Sequence, residues 1–533
     1  MKKIFPILLL LNFTSILAFS QGGIIRGVVY DKEDGEPVIF TNVILIGTTL
    51  GAQTDEQGVY NIPNIPEGNY KIFCTQLGYD SSYIEVSLKN NQIINQKIFL
   101  TQTGIELENI NVSAERDAKK TETAVSMTKI TTKDIERIPA VGGSADLAQY
   151  LQVLPGVVFT GDQGGELYIR GGSPIQNKVL LDGMTIYNPF HSIGLFSIFE
   201  TDIIRSVNVY TGGFSGEYGD RLSAVLDVTT RDGNKKKLSG KVAVSPFLSK
   251  LILEGPIKKQ DANGSSISYI FATKLSYLDQ TSPTLYHYID TLGLPYNFQD
   301  FYGKVSFNSA SGSKVSFFGF NYNDHVNYQQ VSNFDWNQYG FGANFNLVPS
   351  GSKVLIGGNL SYSNYSIVLT EADGKPRESS IGGFDLSTDF TYFIPHGNVK
   401  YGFDIGGFRT HLKFFNSLGL IIQEDDNTTE FSGYIVLKYI LNEKLILEPS
   451  LRLQYYASLP VFSPEPRISL KYNLSDHIRL KGATGLYSQN FISTKSDQDV
   501  VNLFTGYLTA PDGTLNNING EPTASNLQTA IQA

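Results

Sequence analysis

The sequence is poor in cysteine, tryptophan and charge. It has one cysteine, Cys74, and one tryptophan, Trp336, in 533 residues. A single cysteine excludes an internal disulfide framework and a thiolate metal cluster. Charged residues make up 17% of the chain, below the ~25% of typical soluble proteins. The net charge of −9 argues against nucleic acid as a partner, because nucleic acid binding requires a basic surface.

Long apolar segments are also lacking. A helix that crosses a membrane needs ~20 consecutive apolar residues, and the mean hydropathy of −0.11 excludes a polytopic helical membrane protein. The sequence is instead rich in tyrosine (30), phenylalanine (33) and glycine (51). Low charge combined with this composition favours a β-rich protein of the cell envelope, and the length implies about three domains.

Motifs for catalysis and metal binding are absent from the sequence. The six histidines form no HExxH pair, and there is no GxSxG elbow and no Walker-type loop. We therefore predict no catalytic residue, no metal and no cofactor, and we expect a protein that is not an enzyme.

The amino terminus has the pattern of a secretory signal peptide. Lys2 and Lys3 form a short positive region, an apolar stretch follows, and small residues at Ala18 and Ser20 mark a cleavage site. We predict that residues 1–20 are removed after Ser20. An uncleaved membrane anchor is the alternative, but the apolar stretch is short and lacks a stop-transfer flank.

Residues 21–101 are predicted to form a β-sandwich. About seven short strands are separated by turns such as Asp34-Gly35, and no helical period is found. The predicted strands include 23–30, 37–46, 59–62 and 69–73. The run from Thr54 to Tyr79 resembles the carboxypeptidase regulatory-like, transthyretin-like domain. In that family the sandwich is an accessory module without catalytic residues.

Residues 102–133 are predicted to be a polar linker that contains one isolated alternating strand. Apolar side chains alternate there with polar ones, so an unpaired strand could pair with another chain. The segment resembles a TonB box, the strand donated to the energy-coupling protein TonB; a last strand of the sandwich is the alternative. The predicted box consists of Leu107, Glu108, Asn109, Ile110, Asn111, Val112, Ser113 and Ala114.

Residues 134–233 carry an ordered series of glycine-rich motifs. A short helix at 146–151, capped by Ser144, precedes LPGV, YIRGG, LLDG, YNPFH and EYGDRLS. In this order they resemble the plug domain of TonB-dependent outer-membrane receptors, most closely the Bacteroidetes type with an N-terminal regulatory-like domain. Asp220 stands where the family usually has glycine, and aspartate tolerates positive φ better than most residues.

Two arginines are the charges on which we base a functional prediction for the plug. Arg170 and Arg221 lie beside glycine turns, and we predict that they lock the plug against barrel carboxylates, with Glu465 as one partner. A role in fastening the plug alone is the alternative. For His191 we favour a structural hydrogen bond over a metal ligand.

Residues 234–533 show the alternation of membrane-spanning strands. In 444–455 and 467–474 apolar side chains alternate with polar ones, and 341–347 and 354–362 form a hairpin around a Pro-Ser-Gly-Ser turn. Strands of ~10 residues with apolar side chains outward are typical of transmembrane barrels; a soluble antiparallel sandwich also alternates. The fold class is therefore mostly β: an N-terminal sandwich, an α+β plug and an antiparallel transmembrane β-barrel.

The predicted barrel is incomplete. About fourteen strands can be placed between Leu238 and Asn490, whereas barrels with a plugged lumen have ~22. The last residues, 526–533, lack the pattern of an amphipathic strand with a terminal aromatic. We therefore expect a truncated product or fragment.

The resemblance implies an importer in the outer membrane of a Gram-negative cell. An extracellular ligand would bind, and TonB with ExbB and ExbD would pull on the plug; membrane lipid would surround the barrel. The ligand would be of the siderophore, cofactor or oligomer class. A surface binding or adhesion receptor without import is the alternative, and a carboxypeptidase-linked enzyme is a third hypothesis.

Overall fold

The computed structural model describes residues 22–48, 50–103, 127–139, 143–160, 165–192, 194, 196–285, 293–328, 331–349, 351–394, 396–416, 418–442, 444–475, 478–493, 504–509 and 527–532. The predicted signal peptide, 1–20, and the predicted TonB box, 107–114, lie outside the described residues. The chain divides into two compact units, one built mainly from residues up to 119 and the other mainly from residue 120 onward.

The N-terminal domain is a sandwich of two sheets. Its strands are β1 (Gly23–Asp31), β2 (Asn42–Leu45), β3 (Gly51–Gln53), β4 (Val59–Ile65), β5 (Gly68–Thr75), β6 (Ser82–Leu88), β7 (Ile93–Asn95) and β8 (Ile98–Leu100). One sheet has the order β4–β1–β7 with β8 also paired to β1, and the other has the order β3–β2–β5–β6. Apolar side chains of both sheets, among them Ile25, Val43 and Ile72, share one buried core.

One strand of the sandwich is shorter than predicted. Residues 37–46 were expected to be extended throughout, but only β2 (Asn42–Leu45) is a strand. Phe40 has a φ of 56°, a left-handed conformation that interrupts an extended backbone. The strand therefore begins only at Asn42. The alternation of side chains in the sequence does not reveal this backbone conformation.

The next domain, which corresponds to the predicted plug, has an α+β fold. Its elements are β9 (Met127–Ile130), α1 (Thr132–Glu136), α2 (Leu147–Leu151), β10 (Val157–Thr160), β11 (Glu166–Ile169), β12 (Asn177–Leu181), β13 (Met184–Ile186), β14 (Ile204–Tyr210) and β15 (Ala224–Thr230). Five strands form a sheet in the order β13–β12–β15–β14–β9, and β10 and β11 form a separate hairpin. Leu147, Val207 and Leu226 belong to its buried core.

Two predictions at the start of this domain are wrong. Residues 127–133 were placed in the linker, but Met127–Ile130 forms an edge strand that pairs with β14. A strand of four residues is too short for its alternation to be distinguished from a polar linker. The cap of α2 is Asp146 rather than Ser144, because the Asp146 carboxylate accepts a hydrogen bond from the Ala148 amide at 2.8 Å.

The remaining residues form one large sheet with short flanking elements. The strands and the helix are β16 (Ser239–Val244), β17 (Leu248–Lys258), β18 (Ser266–Ser276), α3 (Leu278–Leu285), β19 (Tyr296–Asn308), β20 (Lys314–Tyr328), β21 (Ser332–Leu347), β22 (Val354–Glu371), β23 (Arg377–Ile394), β24 (Gly397–Phe415), β25 (Ile421–Ile440), β26 (Leu445–Tyr456), β27 (Val461–Asn473), β28 (Arg479–Gln489), β29 (Phe491–Ser493), β30 (Tyr507–Thr509) and β31 (Gln528–Gln532). Fourteen strands follow in the order β16 to β28 and then β31.

The strand count of the sheet agrees with the prediction, but the position of the last strand does not. Thirteen strands, β16 to β28, lie between Leu238 and Asn490, and the fourteenth is β31, which pairs antiparallel with β28. Residues 526–533 were expected to lack an amphipathic strand with a terminal aromatic, yet residues 528–532 form a strand. Pairing with β28 rather than local pattern gives this segment its extended structure.

The two faces of the sheet are inverted relative to a soluble protein. On β26 the apolar Leu451 and Leu453 are 38% and 40% exposed, whereas the polar Arg452 and Gln454 between them are each 1% exposed. A soluble sandwich would bury the leucines, so the structure excludes that alternative and confirms a barrel wall with apolar side chains outward. Among the described residues, no helix combines the length and the apolar character needed to cross a membrane.

Candidate functional site at the interface of plug and barrel

Charged and polar side chains fill the interface between the predicted plug and the inward face of the large sheet. Three of the groups in the described part of the chain are named by their plug residues: the Asp182 cluster, the His191 cluster and the Phe214 loop (213–221). Each group joins a plug loop to two or more strands of the barrel wall. Because side chains alternate along these strands, every second side chain points inward, toward the plug.

The Asp182 cluster ties the LLDG motif to the barrel. Asp182 has a φ of 51°, and its carboxylate accepts hydrogen bonds from the Thr230 hydroxyl at 2.6 Å and the Tyr302 hydroxyl at 2.5 Å. Lys304 Nζ of β19 lies 3.2 Å from the other carboxylate oxygen. Burial raises the pKa of Asp182, but Lys304 and these hydrogen bonds outweigh burial and leave the pKa below its usual range. Asp182 is therefore a buried, ionised anchor.

The His191 cluster ties the YNPFH motif to two neighbouring strands. His191 is fully buried; its Nε2 lies 3.0 Å from Asp300 of β19, and its Nδ1 lies 3.4 Å from Asp324 of β20. The ring stacks on Phe298 at 3.8 Å between centroids. Burial lowers the pKa of His191, but Asp300 and Asp324 raise it by more, so the pKa lies above its usual value. The two carboxylates therefore favour the protonated form of the imidazole.

Neighbouring groups add further contacts to the two carboxylates of the His191 cluster. The Ser192 amide and hydroxyl donate to Asp324 at 2.6 and 2.8 Å. Lys274 of β18 lies 3.3 Å from Asp300 and 4.0 Å from Asp146 of the plug. This geometry agrees with the prediction that His191 makes a structural hydrogen bond. The partners of His191 are on the barrel, however, and not within the plug. No group of three metal-ligating side chains is found in the described part of the chain.

The Phe214 loop is held by two buried arginines of the barrel. Arg467 of β27 donates to the carbonyl oxygens of Ser215 and Tyr218 at 2.6 and 2.7 Å. Its guanidinium group lies 4.0 Å from the ring centroid of Tyr487 and 5.1 Å from that of Phe214. The arginine thus contributes both hydrogen bonds and cation–π contacts to the loop.

Arg452 of β26 supports the other side of the same loop. Its guanidinium group donates to the Gly216 carbonyl at 3.3 Å and to Asp404 at 2.8 Å. A Cβ atom at Gly219 would lie 2.2 Å from Nε of Arg452, so a side chain at this position would displace the arginine. The following Asp220 has a φ of 66°, which bears out the expectation of a left-handed backbone where the family has glycine.

The predicted lock residues lie at this interface in a different arrangement. Glu465 is buried, and it pairs with Arg467 at 2.6 Å and accepts a hydrogen bond from Ser488, both on the barrel. Arg221 is buried and donates to the carbonyl oxygen of Asp220 at 2.7 Å. Arg170 is exposed, so its guanidinium group is hydrated rather than buried against the barrel. Buried guanidinium groups at the interface come from the barrel as well as from the plug.

A cavity of about 110 Å³ lies between the plug and the inward side chains of the barrel. Its walls include Glu166, Asn177 and Arg221 of the plug with Trp336 and Tyr365 of the barrel, and Tyr507 of β30 also contributes. The sequence motifs marked the plug turns that border this cavity, but the inward aromatic residues come from distant strands. No local sequence signal brings them together.

Two family models match the chain. A CarboxypepD_reg-like domain matches residues 25–112, and a TonB-dependent receptor plug domain matches residues 119–225. The chain carries a TonB-dependent receptor plug domain. The first match ends at Val112, inside the predicted TonB box. These are families of transport receptors and their accessory module, and they agree with the expectation that the protein is not an enzyme.

Characterised relatives are TonB-dependent receptors. The chain is 26% identical over 231 residues to the TonB-dependent transporter Oar of Myxococcus xanthus. The matched region covers 41% of this chain and 21% of Oar. The chain is also 27% identical over 249 residues to the TonB-dependent receptor SusC of Bacteroides thetaiotaomicron. That matched region covers 44% of this chain and 24% of SusC. The matched region thus spans about a quarter or less of these relatives.

Solved structures share the fold at low sequence identity. The siderophore receptor PirA of Pseudomonas aeruginosa has a TM-score of 0.54 at 15% identity, covering 77% of this chain and 71% of that one. PirA of Acinetobacter baumannii has a TM-score of 0.53 at 14% identity, covering 69% of this chain and 61% of that one. The likeness supports the plugged β-barrel architecture.

Proposed function

We propose that the protein is a TonB-dependent importer of the outer membrane. The observation that carries this proposal is the polar interface between plug and barrel. A hydrogen bond within the protein contributes only ~0.5–1.5 kcal/mol net, because water replaces it when it breaks. A plug held by such contacts can be displaced, because water molecules take over the broken hydrogen bonds. The same contacts can form again when the plug returns.

The proposed coupling runs from the linker into the edge of the plug sheet. β9 (Met127–Ile130) is the terminal strand of that sheet and pairs with β14 from Met127–Tyr210 to Ile130–Val207. A force applied to the linker would reach this strand before the rest of the plug. Residues 107–114 would provide the TonB box upstream of it, and TonB would pair with the box as an added strand.

The remaining partners and the location follow from the same proposal. A signal peptide cleaved after Ser20 would direct export, and the apolar outward face of the sheet would contact outer-membrane lipid. ExbB and ExbD would energise TonB. The substrate would bind on the extracellular side. A binding or adhesion receptor without import has no supporting observation among the described residues.

Proline substitution in the predicted box tests the coupling. Ile110→Pro and Val112→Pro should each abolish crosslinking to TonB and energy-dependent uptake, because proline removes a ladder donor and fixes φ. Thr121→Pro, in the same linker outside the box, is the matched control and should retain both. Surface binding of the ligand should persist in all three variants.

The alternatives give different results in the same experiment. Unchanged TonB crosslinking in both box variants would place the box elsewhere in the linker. Uptake that continues in cells without TonB would contradict the import proposal as a whole. Surface binding without any uptake by the wild-type protein would favour the adhesion receptor.

A further inference from the structure

We propose that a basic patch at one rim of the barrel wall binds the headgroup of an anionic phospholipid. The patch consists of Lys237, Lys258 and Lys259, which are all exposed and lie where β16 begins and β17 ends. This inference rests on the proposed outer-membrane location, and it names the class of lipid that this part of the wall selects. The ligand combines a negatively charged phosphodiester with apolar acyl chains.

The three lysines of the patch lie close together. β16 and β17 form an antiparallel pair, and a Cβ atom at Gly255 of β17 would lie 3.2 Å from Cα of Leu238. Leu238 therefore stands beside the end of β17, and Lys237 precedes it. Lys258 and Lys259 follow Gly255 within four residues. Because neighbouring strands are only ~4.8 Å apart, the long side chains of all three lysines serve one small region of the surface.

The ammonium groups of the patch differ from their neighbours in having no carboxylate partner. Nearby, Lys235 lies 3.1 Å from Asp232, and Lys241 lies 2.6 Å from Asp202. Within the described part of the chain, the three patch lysines take part in no such ion pair. Their positive charge is therefore left for an anion outside the protein.

The acidic residue nearest to the patch in sequence is engaged in a turn. Asp261 follows Lys259 by two residues, and its Oδ1 accepts hydrogen bonds from the amides of Asn263 at 2.9 Å and Ser265 at 3.0 Å. One carboxylate cannot neutralise three ammonium groups. The patch therefore keeps a net positive charge.

Apolar side chains beside the patch fit the acyl part of a lipid. Leu238, Val242 and Ile257 are 72%, 71% and 63% exposed. A register shift between Pro256 and Lys258 brings two consecutive residues, Ile257 and Lys258, to the surface, as bulges do. Lysine carries its charge on a flexible apolar stem and can place it at a membrane surface. A phosphate at the lysines and acyl chains against the apolar residues use both parts of this surface.

The position of the patch in the sheet points to the periplasmic leaflet. The two longest connections, 277–295 and 490–527, lie at the opposite end of the strands, and long loops are typical of the extracellular side. At that opposite end the exposed Arg377 already has a partner, Glu371, at 2.9 Å. An anionic lipid therefore gains more at the patch than at such a pair. In the proposed orientation, the patch meets the leaflet that consists of phospholipids.

Titration of the full chain with single lipids tests the patch. The protein is purified in mild detergent and titrated with phosphatidylglycerol or with zwitterionic phosphatidylcholine, and native mass spectrometry resolves the first bound lipid. One lysine near an anionic surface strengthens binding by about 5-fold. We therefore expect the first phosphatidylglycerol to bind about 10-fold or more tightly than the first phosphatidylcholine.

Two double variants and a matched control separate charge from folding. Lys258→Gln with Lys259→Gln should weaken phosphatidylglycerol binding by about 10- to 25-fold and leave phosphatidylcholine binding unchanged. Lys258→Arg with Lys259→Arg keeps both charges and should retain the preference. Lys89→Gln with Lys375→Gln removes two exposed lysines outside the patch and should bind like the wild type. Heat-modifiability should be the same in all variants.

Three results would overturn the lipid inference. They are equal affinity of the wild type for both lipids, equal losses in the patch and control variants, and full competition by glycerol phosphate, which has no acyl chains. Full competition would assign the patch to a soluble anion instead.

Uptake measurements judge the import proposal separately. TonB-dependent uptake by a protein without lipid preference would overturn the lipid inference and leave import standing. Lipid preference together with TonB-independent uptake would contradict import and leave the patch assignment standing.

Discussion

At the scale of single residues, the environment decides which charges matter. Arg170 precedes a glycine turn and Arg221 follows one, yet Arg170 is exposed and Arg221 is buried. Asp182, which the LLDG motif contains, is ionised and buried because Lys304 and two hydroxyl groups surround it. The partners of such groups come from strands far away in sequence, so no motif could predict their desolvation.

His191 predicts a specific pH dependence of stability. Its pKa is raised in the folded protein above the unfolded value of ~6.5, so its contribution is fully present below pH ~6.5. That contribution is lost as the pH rises through the folded-state pKa. We expect the thermal midpoint of the wild type to fall over this range, and His191→Gln to lack this part of the slope.

A second histidine provides the control for this measurement. His325 lies on the outward face of β20, 47% exposed and 2.7 Å from Asp335. His325→Gln should retain the slope of the wild type. If His191→Gln and the wild type lost stability equally between pH 6 and pH 9, the ion pairs of His191 with Asp300 and Asp324 would have no measurable effect.

At the scale of elements, the barrel strands extend beyond the apolar belt. β20 to β25 are 15–20 residues long, whereas ~9–11 residues cross a membrane. On the outward face of β20 and β21, Asn323 pairs with Asn337 and His325 with Asp335. Polar outward side chains place these strand ends outside the hydrocarbon layer.

The depth of an outward-facing residue in the membrane should therefore determine how much a charged substitution destabilises the folded barrel. Leu451→Arg, in the middle of β26, should destabilise the folded barrel in lipid by ~2–4 kcal/mol if it lies near the midplane. Asn323→Arg, on the polar end of β20, should have almost no effect. Denaturant unfolding in vesicles measures both, and equal stability of the two variants would contradict the inverted orientation of the sheet.

At the scale of the whole molecule, paired charges hold the plug in the barrel. Lys304 is 3% exposed and Asp182 is 5% exposed, so neither charge can be hydrated when its partner is removed. Asp182 also joins the plug strands to one another through Thr230 of β15. Removing one member of such a pair costs more than removing both.

A double-mutant cycle tests this coupling between plug and barrel. Asp182→Asn should destabilise the plug by ~3–5 kcal/mol, because it leaves Lys304 buried without its counter-ion. Asp182→Asn combined with Lys304→Met should recover part of that loss. Plug protease protection and leakage of small antibiotics into whole cells report the effect; additive losses in the double variant would show that the two charges do not interact.

The sequence by itself determined the domain types, most strand positions and the outward–inward alternation of the barrel. These depend on local patterns: glycine turns, the spacing of motifs and a period of two along 444–455 and 467–474. Only the tertiary structure decided which charges are buried, that Arg467 rather than a plug arginine pairs with Glu465, and that residues 528–532 form a strand. Burial of the charges and the pairing of residues 528–532 with β28 depend on contacts between separate segments of the chain. Arg467 is local to Glu465, but which arginine lies beside that carboxylate depends on how the plug packs against the barrel.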